Sequence, residues 1–155
     1  MQTVEHLRGL FDYNDWANRR ILVAVRESGS DRCREILAHL LTAQAEWFAR
    51  VYGKNSTGMD FWPDLSIDEC GALAREMAES FEKLLRRFEE EGLDLSVKYF
   101  SSSGLPYVNT FREVMSHVLL HSAIHRGNIV FRLREEGFDP PLTDYIYYLR
   151  ETKYL

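Results

Sequence analysis

The sequence predicts an all-α fold: a four-helix bundle with a long crossover between its third and fourth helices and a short helix at the C-terminal end. Three observations carry this. Apolar residues recur at three- and four-residue spacings through four long stretches, the period of a helix with one buried face. Two of these stretches open on a capping box, Ser66 with Glu69 and Thr110 with Glu113, and stop at a glycine, Gly92 and Gly137. Alternation of period two is confined to Leu93–Asn109. At 155 residues the chain is read as one domain, long enough to bury a core without disulfides.

The first helix is expected from Val4 to Glu27, with Leu7, Leu10, Phe11, Ala17, Ile21 and Val25 on its inward stripe. Asn14 and Asn18 interrupt that stripe, and a buried amide needs a partner. The sequence offers a neighbouring backbone, each other across one turn, or a site contact. The second helix, from Arg32 to Tyr52, turns Ile36, Leu37, Leu40, Leu41 and Trp47 inward. Gly53 to Asp64 is a loop by its turn residues, with Phe61 and Trp62 covering one end of the core. The third helix follows its cap at Ser66 and runs to Glu91, burying Leu73, Met77, Phe81, Leu84, Leu85 and Phe88. Glu79, Glu82, Lys83, Arg86, Arg87, Glu89 and Glu90 form its solvated face.

Leu93 to Asn109 reads as a short hairpin or an extended crossover, one that lets the third and fourth helices run parallel. The fourth helix runs from its cap at Thr110 to Glu136. Gly127 inside it costs about 1 kcal/mol relative to alanine, which a close approach by another helix or a ligand would offset. Leu120, Ile124 and Phe131 form a second apolar ridge, so this helix is either central or part of a subunit interface, and a homodimer is expected. After Pro140 and Pro141 a last short helix, capped near Thr143, packs Tyr145, Ile146, Tyr148 and Leu149 back on the bundle.

A formal net charge of -5 with no basic cluster argues against a nucleic-acid partner. No apolar run approaches the roughly 20 residues of a membrane span. Met1 to Arg8 mixes polar and apolar residues and does not read as a signal peptide. The two cysteines, Cys33 and Cys70, lie far apart in helical patterns, as expected of a reduced, cytoplasmic protein.

Three of the five histidines fall within the stretch His117 to Asn128. Residues four apart stand one above the other on a helix, so His121 and His125 can direct two imidazoles at one centre. They sit at the margin of the stripe formed by Val114, Met115, Val118, Ser122 and Ile129, where buried imidazoles need partners. His39, at the edge of the second helix's stripe, would read alone as a core residue. Beside the pair it completes a set of three neutral nitrogen ligands for a divalent ion, leaving positions for water or substrate. Glu46, one heptad beyond His39, could face the same space as a general base or as the partner of a ligand. Ser122 stands where a zincin protease would carry Glu, which excludes that chemistry.

Four segments in order resemble the DinB family, the DinB/YfiT-like metalloenzymes. They are Leu10 to Asn18 in the first helix, His39 with Glu46 and Trp47 in the second, the H-x-x-x-H-R-G run from His121 to Gly127, and the closing segment from Asp144 to Arg150. The resemblance implies a bundle, frequently dimeric, with metal ligands at His39, His121 and His125; His117 is not carried over as a ligand. Asn128 departs from the usual Gln, which shortens an amide that would orient a ligand or substrate. The resemblance further implies zinc or nickel, with iron or manganese as further candidates, and a metal-dependent transferase or hydrolase that activates a small thiol or water for transfer to a small-molecule substrate. Two alternatives stand beside it: a non-catalytic metal-binding or stress-response protein, and a metal-free helical interaction module.

Overall fold

The computed structural model describes residues 3–153, apart from the side chains of residues 89–91, so Glu89 and Glu90 of the charged face lie outside the described residues. Four long helices form the expected bundle: α1 (Val4–Ser28), α2 (Asp31–Val51), α3 (Ile67–Glu91) and α4 (Phe111–Glu135), followed by the short α5 (Tyr145–Lys153). Both capping boxes form, Ser66 with Glu69 and Thr110 with Glu113. Gly29 ends α1 at a φ of 62°, a left-handed conformation that glycine adopts without steric cost. Leu93–Asn109 holds the hairpin, with β1 (Ser96–Phe100) antiparallel to β2 (Pro106–Thr110) and Val97 opposite Asn109. None of the helices among the described residues is long and apolar enough to cross a membrane.

Helices α1 and α2 each pack against both α3 and α4, so α3 and α4 stand on a diagonal of the bundle. The core is split in two. One apolar cluster joins Leu7 and Phe11 of α1 to Phe81 and Leu85 near the end of α3 and to Phe111 and Met115 at the start of α4. The other joins Ile21 and Val25 at the end of α1 to Cys33 and Leu37 at the start of α2, Cys70 and Ala74 at the start of α3, and Ile129 and Leu133 at the end of α4. Helix α3 therefore runs from the second cluster to the first while α4 runs back, and their expected parallel course is not the one taken. The hairpin turns the chain at one end of the bundle.

The segment that travels the bundle's length is the loop between α2 and α3. Ser56 meets Glu46, the Phe61 carbonyl meets His39 and Asp64 meets Arg34, so the loop runs back along α2. An extended chain gains about 3.3 Å per residue, enough for a loop of this length to cover a bundle. Phe61 and Trp62 thus lie along α2 beside His39, where an end-cap had been expected.

Two expectations for α4 resolve differently. Leu120, Ile124 and Phe131 are 66%, 63% and 64% exposed, so the second ridge is not central to this chain. A Cβ added at Gly127 would meet no atom within 4 Å, and the close approach anticipated there is absent within the described residues. In the tail, Tyr145 and Tyr148 pack on Tyr13 and Trp16 as anticipated. Ile146 instead remains exposed.

Between the two apolar clusters lies a polar layer. Arg126, 2% exposed, donates to the side-chain carbonyls of Asn14 at 2.6 Å and Asn18 at 2.8 Å, and the Gln44 amide donates to Ser122. The two asparagines that broke the stripe of α1 are bonded neither to a local backbone nor to each other. They share one guanidinium supplied by the opposite helix.

Candidate metal centre

His39 lies buried on α2, while His121 and His125 lie half-buried on the facing side of α4. Each offers a ring nitrogen within 4.8 Å of the other two. Two nitrogens bound to one ion at about 2.0–2.1 Å stand at most about 4.2 Å apart, so a side-chain adjustment of under about 1 Å brings the set onto a single ion. The ring centroids are 4.5 Å apart for His121 and His125, and 4.6 and 5.2 Å from His39 to His125 and His121. The three residues named from sequence are therefore brought together.

What holds the imidazoles is equally specific. His39 Nδ1 donates to the Phe61 carbonyl at 2.7 Å. A carbonyl only accepts, so the proton sits on Nδ1 and the Nε2 lone pair is left for an ion. Trp62 stacks flat on the same ring at 3.9 Å and 5°, fixing its plane. The Asn128 amide lies 3.2 Å from His125 Nδ1, so the shorter side chain does reach a ligand. With its oxygen turned to that nitrogen it would set the same tautomer as on His39.

Burial first, then the neighbouring His125, His39 and His117, pushes His121 down to about 4. Burial and then His39 push His125 below the usual histidine range. Both shifts favour the neutral ring with a free lone pair, the form a metal needs. His117 is exposed, packs edge-on against Trp47 and stands outside the converging group.

Glu46 is not in that group either. Its carboxylate is 2% exposed and accepts from Ser56 at 2.6 Å and Lys54 at 2.8 Å. Arg50, stacked over Trp47 at 4.4 Å, donates to the same Ser56 hydroxyl. Glu46 thus pins the start of the loop that delivers Phe61 and Trp62 to His39.

The loop's contribution escaped sequence reasoning, because a backbone carbonyl carries no sequence mark. Arg126 escaped it too, although the paired asparagines on the inward face of α1 called for a buried donor opposite them.

The three-imidazole set, with no carboxylate or thiol joining it among the described residues, fits a divalent ion. The chain aligns over 162 positions at 27% identity with Protein DinB of Bacillus subtilis (strain 168), covering 93% of this chain and 94% of that one. No solved structure matches. The DinB family profile matches residues 1–154, a span that takes in all three histidines and both helices that carry them, and the chain belongs to the DinB family.

Proposed function

We propose that this protein is a metal-dependent enzyme in which His39, His121 and His125 hold one divalent ion, zinc or nickel, and a small thiol is activated there for transfer to a small electrophile. The observation that carries this reading is a converging set of three imidazoles with no fourth protein ligand among the described residues. A structural site closes its coordination sphere with four protein ligands, whereas three leave room for an exchanging one. When bound, a divalent ion supplies Lewis acidity that lowers the pKa of a thiol or water reaching it.

The chain's own residues do the rest. The Phe61 carbonyl and Asn128 hold the ligand tautomers, and Trp62 shields one side of His39 from water. Glu46 enters as a positioning residue through its grip on the loop. Neither cysteine competes as the nucleophile. Burial raises Cys33 above its ordinary range and Cys70 to about 11, so both stay protonated and inaccessible, and the reacting thiol comes from solution. Two buried free cysteines also suit a reducing cytoplasm.

Cobalt-loaded protein titrated with a small thiol is expected to develop a saturable sulfur-to-cobalt charge-transfer band. A spectrum unchanged at saturating thiol would remove the thiol-transfer reading and leave a non-catalytic metal-binding protein.

The exposed row Leu120, Ile124, Gly127 and Phe131 lies beside the two histidines of α4, and we assign it to a second copy of the chain. A two-fold dimer pairs a patch with its own copy, which an exposed apolar row can satisfy, and the side-chain-free Gly127 leaves room for a second helix to approach closely. Light scattering is expected to give a dimer that Phe131→Glu converts to monomer; a monomeric wild type would contradict the assignment.

A further inference from the structure

Three of the four helices contribute polar side chains to the layer between the two apolar clusters. The fourth, α3, brings Ala74, Met77 and Ala78 to the same level. Two small side chains opposite a polar layer leave space, and a cavity of about 190 Å³ opens there between α1 and α3. A single buried water needs about 10–15 Å³ of such space, so this one has the size for a small organic molecule.

The floor of the cavity is made of buried amides. Asn14, Asn18 and Gln44 line it, each only 3% exposed. Because a guanidinium has no acceptor, Arg126 requires the carbonyl oxygens of both asparagines to face it, which turns their NH2 groups the other way. Those NH2 groups, and the oxygen of Gln44, have no hydrogen-bond partner among the described residues. Every fully enclosed side-chain nitrogen or oxygen among the described residues does have one. The unpartnered amide atoms therefore face open space, and the cavity they line provides it. Met77 and Phe81 supply apolar walls.

The rim has the opposite character. Asp12, Glu79 and Glu82 are its exposed residues, with Asp15 and Arg8 half-buried beside them. Asp15 is paired with Arg19, and Glu82 with Arg86 and Arg8. Asp12 and Glu79 remain as rim carboxylates with no ion pair of their own among the described residues. Burial, followed by the Glu82 charge, raises the Asp12 carboxyl above its usual range, with Arg8 opposing the shift less strongly.

A ligand that satisfies both ends carries a cation outward and a neutral group inward. The neutral group must accept from Asn14 and Asn18 and donate to Gln44. An anionic head would meet the rim carboxylates and the Gln44 oxygen, and a cationic head would meet the buried charge of Arg126. We propose that the cavity between α1 and α3 is a binding site, separate from the three-histidine centre, for a small primary amine whose other end is a neutral carboxamide-like head.

Titrating isotope-labelled full-length protein with δ-aminovaleramide and following the side-chain amide signals by NMR tests this directly. Saturable shifts of the Asn14, Asn18 and Gln44 signals are expected. Valeramide, which lacks the ammonium, is expected to bind about fivefold more weakly, and Glu79→Gln to weaken δ-aminovaleramide binding by a similar factor. Ala78→Phe fills the space and is expected to abolish the shifts. Should that variant fail to fold, the Glu79→Gln and valeramide comparisons decide the matter alone. No saturable shift, equal affinity for the two ligands, equal affinity of wild type and Glu79→Gln, or shifts centred on His121, His125 and Trp62 would each overturn the proposal, the last by placing the amine at the imidazoles.

Discussion

Replacing His39 by alanine is expected to lower zinc affinity by more than about 100-fold, since even the loss of a group that merely orients a ligand costs 10–100-fold. His125→Ala is expected to fall as far. The two residues come from different helices, so equal losses would mean one ion bridging α2 and α4. His117→Ala is the control: its ring lies on the same helix but outside the converging set, and its affinity should match the wild type. Competition against a chromophoric chelator measures all three, with circular dichroism to verify the fold. If His39→Ala binds zinc as tightly as wild type, the site is at most the pair on α4 and the proposed enzyme loses its centre.

The second large effect is expected on stability, at Arg126→Leu. The guanidinium is buried, which depresses its pKa, and it has neutral amide carbonyls as its hydrogen-bond partners; the Tyr13 ring lies 5.5 Å from it. Removing it leaves the carbonyl oxygens of Asn14 and Asn18 facing an apolar side chain. An unsatisfied buried acceptor costs about 1–3 kcal/mol. The expected loss is about 3 kcal/mol, below the largest sum because the adjoining cavity lets water reach the amides. Urea unfolding should register this as a midpoint lowered by about 1–2 M. Adding Asn14→Leu and Asn18→Leu removes the stranded acceptors, so the triple variant is expected to recover part of the loss rather than fall further. Additive losses would mean that the three side chains do not act as one network.

These two effects differ in how visible their origins are in the sequence. His121 and His125 are legible because a helix converts a spacing of four into adjacency, whatever the rest of the chain does. His39 required one further step, that the second and fourth helices face each other, and the family resemblance reached the same residue. Asn14 and Asn18 were visible as a violation of the apolar stripe, but their partner lies 112 and 108 residues away. The heptad spacing from His39 puts Glu46 on nearly the same side of α2, the place for a general base or a partner of a ligand. Its carboxylate is engaged instead by Lys54 and Ser56, close in sequence but made partners only by the path of the loop.

Local periodicity, capping boxes and glycine stops are short-range effects, and with them the sequence by itself determined four helices, their ends to within a residue or two, and which faces are apolar, while leaving Leu93–Asn109 open between a hairpin and an extended crossover. Tertiary structure decided the rest. The course of the α2–α3 loop, the direction of α3 against α4, the Phe61 carbonyl on His39, the Arg126 network and the cavity beneath α3 all depend on which helices meet at which level. That choice is made by the packing of both apolar clusters at once, and no single stretch of the chain contains it.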